Sequence, residues 1–293
     1  MGGIPSEVMQ HELSLIWQDV FTWLSWSIVA VMLVIAGRMC IQQRTPFYVI
    51  ACLAAGVAAF GEPLYDVAFD LWFYDVHDGR SGAMYSHFSA FGIVQPNWTH
   101  SGYIILYASA CLYAGRRMYE GRLGRRGIFL VWAAEIVTSC VFEIIGTGTG
   151  VYTYYGEHVL RIWEYPLVIG VLEGTQVVLF TVLAVQLWRR VSTAWGLLSL
   201  FVLFPMTMFG ANFGLGAPII VALHLDGGAT AWIVWTATLL TGALCVIAVN
   251  GAAKFLPDPP GGHTADQASS SDSSADSIPD NAEGVIAVGR AAV

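Results

Sequence analysis

The sequence predicts an all-α membrane protein, a bundle of about seven transmembrane helices with the N-terminus outside and the C-terminus cytoplasmic. Three observations lead there. Charged residues make up 12% of the chain and apolar residues 56%, against roughly 25% and 45–50% in ordinary soluble domains. Seven apolar runs approach the roughly 20 helical residues that cross a hydrocarbon core of about 30 Å; they fall at approximately 17–37, 46–66, 101–119, 127–149, 164–188, 194–213 and 229–249. The third observation is the placement of the basic residues, twelve of the thirteen being Arg. Arg38 and Arg44 follow the first run, five Arg from Arg116 to Arg126 separate the third from the fourth, Arg189 and Arg190 follow the fifth and Lys254 the seventh. All of these fall on one side of a seven-helix path, and cytoplasmic loops are the ones that accumulate Lys and Arg. Only Arg80 and Arg161 fall in loops on the other side.

The first run has no basic residue ahead of it and no small-residue cleavage site after it, so it reads as a retained helix. The second closes on "FGEPLYDVAFDLWFYD", which sets Glu62, Asp66 and Asp70 four residues apart and so along one helical face. Two readings stay open there. Either the helix ends near Gly61, ahead of Pro63, and the acids sit in interfacial water, or it continues and they face the bundle.

The loop that follows holds Asp75, His77, Asp78, His87 and His100. No His pair has the i, i+4 spacing of a zinc protease and no Cys assists, so no metal is expected. The fourth run places Glu135 and Glu143, and the fifth Glu173 and Gln176, inside otherwise apolar helices. The stretch 217–225, which carries Pro218, is too short to span and reads as a re-entrant or surface segment. Residues 1–255 thus form a polytopic helical domain, and 256–293, with "SSSDSSADS" at its centre, an acidic tail expected to be disordered. The five scattered cysteines predict neither disulfide nor thiolate site. The tail also accounts for six of the acids behind the net charge of −8, which therefore says little about partners.

An ionisable side chain at bilayer depth costs at least about 2.5 kcal/mol on insertion scales and marks a functional-site hypothesis. No Lys or Arg lies inside any run to pair with these acids. On the seven-helix path, Glu62, Asp66 and Glu143 lie toward the outer surface, and Glu173 lies about 14 Å deeper than Glu164 at the outer end of its helix. The carboxylates converge on a cavity with Tyr65, Trp72, Tyr74, Trp98, Tyr152, Tyr155 and Trp163 available as walls. Protonated acids bonded across the bundle, and an interfacial aromatic belt, are the structural alternatives.

Several chemistries are excluded. The last run has no Lys for a retinal Schiff base, and no His boxes, phosphate-binding loop, "GxSxG" or "HExxH" occur. Acid–base chemistry by carboxylates, or transport, remains.

"EPLYD" followed by "WFYD", then "PNW", "FEIIGTGTGVYTYYG" and "YPLVIGVLEG", resembles the pattern of the AveC-like spirocyclases of actinobacteria over about residues 15–255. Glu62 stands where that family's pattern has Asp, and Asp66 where Asn is common. The resemblance implies a cell-membrane enzyme that closes a hydroxyketone polyketide into a spiroketal without a cofactor. Its partners would be membrane lipids and a hydrophobic small molecule; nucleic acid is not expected. Ketalisation needs one acid to protonate a carbonyl or departing hydroxyl and one base to take the attacking hydroxyl's proton. The catalytic candidates are Glu62 and Asp66, the deeper pair Glu143 and Glu173, and Asp75; those for substrate binding are Tyr65, Trp72, Tyr74, Trp98, Tyr152 and Tyr155. An integral-membrane terpene cyclase, with aromatics facing a cation, uses the same kind of constellation. A proton-coupled transporter or lipid-binding membrane protein is the alternative outside enzymes.

Overall fold

Length and hydropathy translate directly into helices. The computed structural model describes residues 4–258, and six of its helices are long and apolar enough to cross a membrane. They are α1 (Leu15–Gln43), α2 (Phe47–Phe69), α4 (Arg125–Gly148), α5 (Leu167–Arg190), α6 (Ala194–Leu215) and α7 (Ala231–Phe255). The run expected at 101–119 becomes α3 (Trp98–Tyr113), of 16 residues, continued after Ala114 by the short helix Gly115–Tyr119. At 1.5 Å per residue α3 is about 24 Å long, short of a full hydrocarbon core by itself. The 217–225 stretch forms a seven-residue helix, Ala217–Leu223. The acidic tail expected over 256–293 lies, from residue 259 on, outside the described residues.

Helix α5 is the axis of the bundle: 83% of its apolar window is buried, against 22–50% for the other five spanning helices. Its approach to α4 is set by small residues. A Cβ on Gly170 would lie 2.6 Å from Cys140 Sγ, and one on Gly174 would lie 2.7 Å from Ile136 Cγ1 and 3.1 Å from the Ile136 nitrogen. Small residues four apart let two helices close to near backbone contact in lipid, where packing rather than hydrophobicity drives association. The large apolar residues that remain exposed on α4, Leu130, Val137 and Val141 among them, are what a helix facing lipid tails presents.

The two ends of the bundle differ. At one, Arg116 Nη1 donates to Gln43 Oε1 (3.3 Å), Arg189 Nη1 donates to the Tyr119 carbonyl (2.7 Å), and Gln186 reaches the Phe255 carbonyl. These bonds gather the basic ends of four chain segments. The opposite end is rich in loops and carries short antiparallel pairs: β1 (Leu71–Phe73) with β6 (Tyr152–Tyr154), β2 (Val76–His77) with β3 (Arg80–Ser81), β4 (Ser86–Ala90) with β5 (Ile93–Pro96), and β7 (Arg161–Ile162) with β8 (Tyr165–Pro166). The β2–β3 hairpin turns at Asp78 and Gly79, both at positive φ (49° and 67°), as a two-residue Asp-Gly hairpin turn requires. Pair β1–β6 ties the chain leaving α2 to the chain leaving α4 and so fixes where the tyrosines of β6 lie.

Candidate active site

The row of acids in α2 depends on Pro63. The helix runs as α over Phe47–Ala58, tightens to a 3₁₀ turn over Ala59–Gly61, and resumes as α over Glu62–Phe69. Proline at the start of the resumed segment has no N–H to leave unpaired, and the tighter turn absorbs its ring. The helix therefore continues past Pro63, and Glu62 and Asp66 are buried inside the bundle rather than sitting in interfacial water.

Glu62 accepts a 2.5 Å hydrogen bond from the Tyr103 hydroxyl of α3. Glu173, on the central helix, holds three hydroxyls: Tyr65 (3.3 Å) and Tyr107 (3.4 Å) donate to Oε1, and Ser139 donates to Oε2. Ser139 also meets the Tyr165 hydroxyl at 3.3 Å. Glu143 accepts from the Tyr154 hydroxyl (3.0 Å), whose phenol is pushed well up by burial and by Glu143 and so stays a donor. Glu62, Glu143 and Glu173 line one cavity of about 80 Å³ with Tyr103 and Tyr107, and its lining contains no Lys, Arg or His. Three carboxyls in one cavity with only hydroxyl partners can between them both give and take protons.

The other predicted acids lie elsewhere. Asp66 is fully buried one turn beyond Glu62 but does not line the cavity; Gln95 Nε2, from β5, donates to its Oδ2 at 2.6 Å, and its Oδ1 has no partner. Asp70 leaves the helix at a left-handed φ of 57° and faces His224 at 3.5 Å. Burial raises its pKa while His224 opposes the shift. Gly156 packs on that carboxyl so closely that a Cβ would lie 2.9 Å from Asp70 Cβ. Glu135 bridges α3 and α4 toward the arginine-rich end, accepting from Tyr113 (2.6 Å) and Ser109 (3.2 Å). Asp75 accepts from the amides of Gly82 (2.9 Å) and Met84 (2.8 Å), which pins the hairpin loop.

The aromatic candidates divide in the same way. Tyr65 bonds Glu173 and Trp98 lines the acid cavity. Tyr152 is buried beside Trp98, ring centroids 5.8 Å apart, with its hydroxyl turned to Glu143. Trp72 is half-buried in β1. Tyr74, stacked on His11 at 4.1 Å, and Tyr155 instead line a second, larger depression of about 560 Å³ at the loop-rich end with Arg161 and Glu164. Trp163 is exposed. His87 and His100 meet Nε2 to Nε2 at 2.7 Å, and among the described residues no group of three or more His, Cys, Asp or Glu is placed to hold a metal.

Sequence reasoning missed Tyr103, Tyr107, Ser139, Tyr154 and Gln95. A signal existed for two of them: "SGYIILYASA" places Tyr103 and Tyr107 four apart in an apolar run, and hydroxyls on one helical face in lipid need acceptors. Compared with models of known families, with curated proteins and with solved structures, the chain finds no match.

Proposed function

We propose that the protein is a cofactor-independent, integral-membrane cyclase of the AveC-like spirocyclase kind. It would act on a hydrophobic, polyketide-type or lipid-like substrate by acid–base catalysis at Glu62, Glu143 and Glu173. The observation that carries the reading is the convergence of these three acids, from three helices, on one cavity whose lining has no basic side chain. In a dihydroxy-ketone, one carboxyl protonates the ketone oxygen while a second takes the proton of the attacking hydroxyl. The resulting hemiketal then loses its hydroxyl, protonated, as water while the second hydroxyl closes the other ring; each acid ends as it began. Glu143, the most exposed of the three, is the group a substrate meets first, and Glu173, held by three hydroxyls, is the most rigidly placed. Holding the hydroxyls against the carbonyl would supply much of the acceleration.

The same reading takes the protein as a seven-span protein of the cell membrane, α3 with its short continuation being the additional crossing, with the N-terminus outside and the arginine-rich end in the cytoplasm. The acid cavity then lies in the outer half of the bundle. Metabolite profiling of a deletion strain and its complement tests the function. An open-chain hydroxyketone accumulating in the deletion, and consumed on complementation, supports cyclisation; an unchanged metabolite profile refutes it. Proton-coupled transport is the second reading, favoured by Glu135, which places a further hydroxyl-bonded acid toward the arginine-rich end, and it predicts an altered proton or solute flux instead.

A further inference from the structure

The acid cavity is closed at both ends along the bundle and open at its side. Toward the loop-rich end, Trp98, Phe142 and Phe21 form a plug, with ring centroids 5.0 Å apart for Phe21 and Phe142, 5.1 Å for Phe21 and Trp98, and 6.3 Å for Trp98 and Phe142. Toward the arginine-rich end, Ser109 and Tyr113 of α3 close on Glu135 of α4. Between these two closures the cavity is walled by Gly102, Ile105 and Leu106 of α3 and by Thr138 and Phe142 of α4.

Thr138 is exposed, and its hydroxyl is satisfied within its own helix by the Ala134 carbonyl (2.9 Å). It sits about 20 Å along a helix about 36 Å long, between Val137 and Val141, which are 62% and 55% exposed. A lining residue exposed at mid-helix on the lipid-facing side places the mouth of the cavity in the hydrocarbon. Gly102, on the opposite edge, has nothing within 4 Å of where a Cβ would stand.

Size decides what enters. A cavity of about 80 Å³ is roughly half the 150 Å³ that accommodates a benzene ring, so it encloses the reacting oxygens and the few carbons beside them while the rest of a cyclisable chain stays outside. We propose that the gap between α3 and α4 is a lateral window through which a membrane-dissolved amphiphile presents a small hydroxyl- or carbonyl-bearing end to Glu143, Glu62 and Glu173. The apolar remainder of the molecule stays in the bilayer against the two helices. This rests on the reading of the cavity as the reactive site, and it makes the substrate class a lipid-soluble molecule whose ketone and hydroxyls are gathered toward one end of an apolar chain.

The test reads access and does not need turnover. The full-length protein in phosphatidylcholine nanodiscs is photolabelled with two hexadecanol probes, one with a diazirine within two carbons of the hydroxyl and one with it at the far end of the chain. The near-hydroxyl probe is expected to mark residues within 102–107 together with Thr138, Phe142 or Glu143, with adducts competed by excess hexadecanol. Gly102→Trp should reduce that labelling at least tenfold and Gly102→Leu should reduce it in part, while Gly102→Ala keeps it. The far-end probe should mark the lipid face of α4 equally in all of them, which certifies the fold of each variant. Near-hydroxyl adducts confined to Val137 and Val141, or labelling that Gly102→Trp and Gly102→Leu leave unchanged, would overturn the window. Loss of turnover in an acid variant with labelling intact speaks to the cyclase reading alone.

Discussion

Lowering the pH from 7 to 4 should destabilise the loop-rich end through one residue, His158. Its ring is buried, and Nε2–H donates to the Phe69 carbonyl at 3.0 Å, at the end of the helix that carries Glu62. Nδ1 is buried without a partner, so protonation creates a second buried N–H with no acceptor. Desolvation lowers the His158 pKa to about 4 from 6.5; the bond to Phe69 opposes that, while Arg161 and His224 add to it. For a base whose folded pKa is depressed, the unfolded chain binds the proton first. The stabilisation is therefore complete above pH 6.5, falls through the window from 6.5 to about 4, and is gone below it. A difference of about 2.5 units at about 1.36 kcal/mol each is about 3 kcal/mol. Denaturant titrations at pH 7, 5.5 and 4 on the wild type and on His158→Gln, whose amide can still donate to Phe69, isolate this contribution. The wild type should lose about 3 kcal/mol more than the variant over that range. Parallel pH profiles for the two proteins would refute the reasoning.

Other outcomes follow from the geometry. Glu62→Gln keeps an acceptor for Tyr103 and should fold normally yet lose activity, whereas Asp66→Asn keeps an acceptor for Gln95 and lies off the cavity, so its activity should stay within about twofold; a product assay with equal loss in both would remove the distinction. Gly156→Ala forces a methyl onto Asp70 and should cost about 1–3 kcal/mol, read as a lowered unfolding midpoint, with an unchanged midpoint counting against that close approach. A reporter that works only in the cytoplasm should be active when fused after Arg126 or Lys254 and silent after Arg80; activity at Arg80 would invert the topology.

The spanning helices were legible because length and hydropathy are nearly sufficient for a helix in lipid, where every backbone group must bond within its own segment. The loop-rich end was less so. Asp78-Gly79 is a hairpin signal that the sequence carries openly, but the pairing of β1 with β6 joins residues about eighty apart and leaves no local trace. Pro63 shows the limit of a local rule: taken alone it argues for a helix end, and only the 3₁₀ turn ahead of it lets the helix pass. The acids of the site were visible as charges in apolar runs, but their division was not. Glu62 and Asp66 share a helical face in projection, yet one meets Tyr103 at the cavity and the other meets Gln95 outside it. Asp75, which the sequence places in a loop and not in an apolar run, accepts from backbone amides of that loop. The tyrosines that hold the carboxyls were overlooked because an aromatic in a membrane helix reads first as apolar bulk.

The most direct test of the acid cavity as the reactive centre is turnover by Glu173→Gln in the complemented deletion strain. The amide retains the shape of the side chain and an acceptor for Tyr65 and Tyr107, so folded protein should accumulate in the membrane as in the wild type. As an amide it can no longer exchange a proton, and product should fall by two orders of magnitude or more, in line with the roughly 10²–10⁴-fold that general acid–base groups contribute. Wild-type product levels from Glu173→Gln, at equal membrane abundance, would contradict the account.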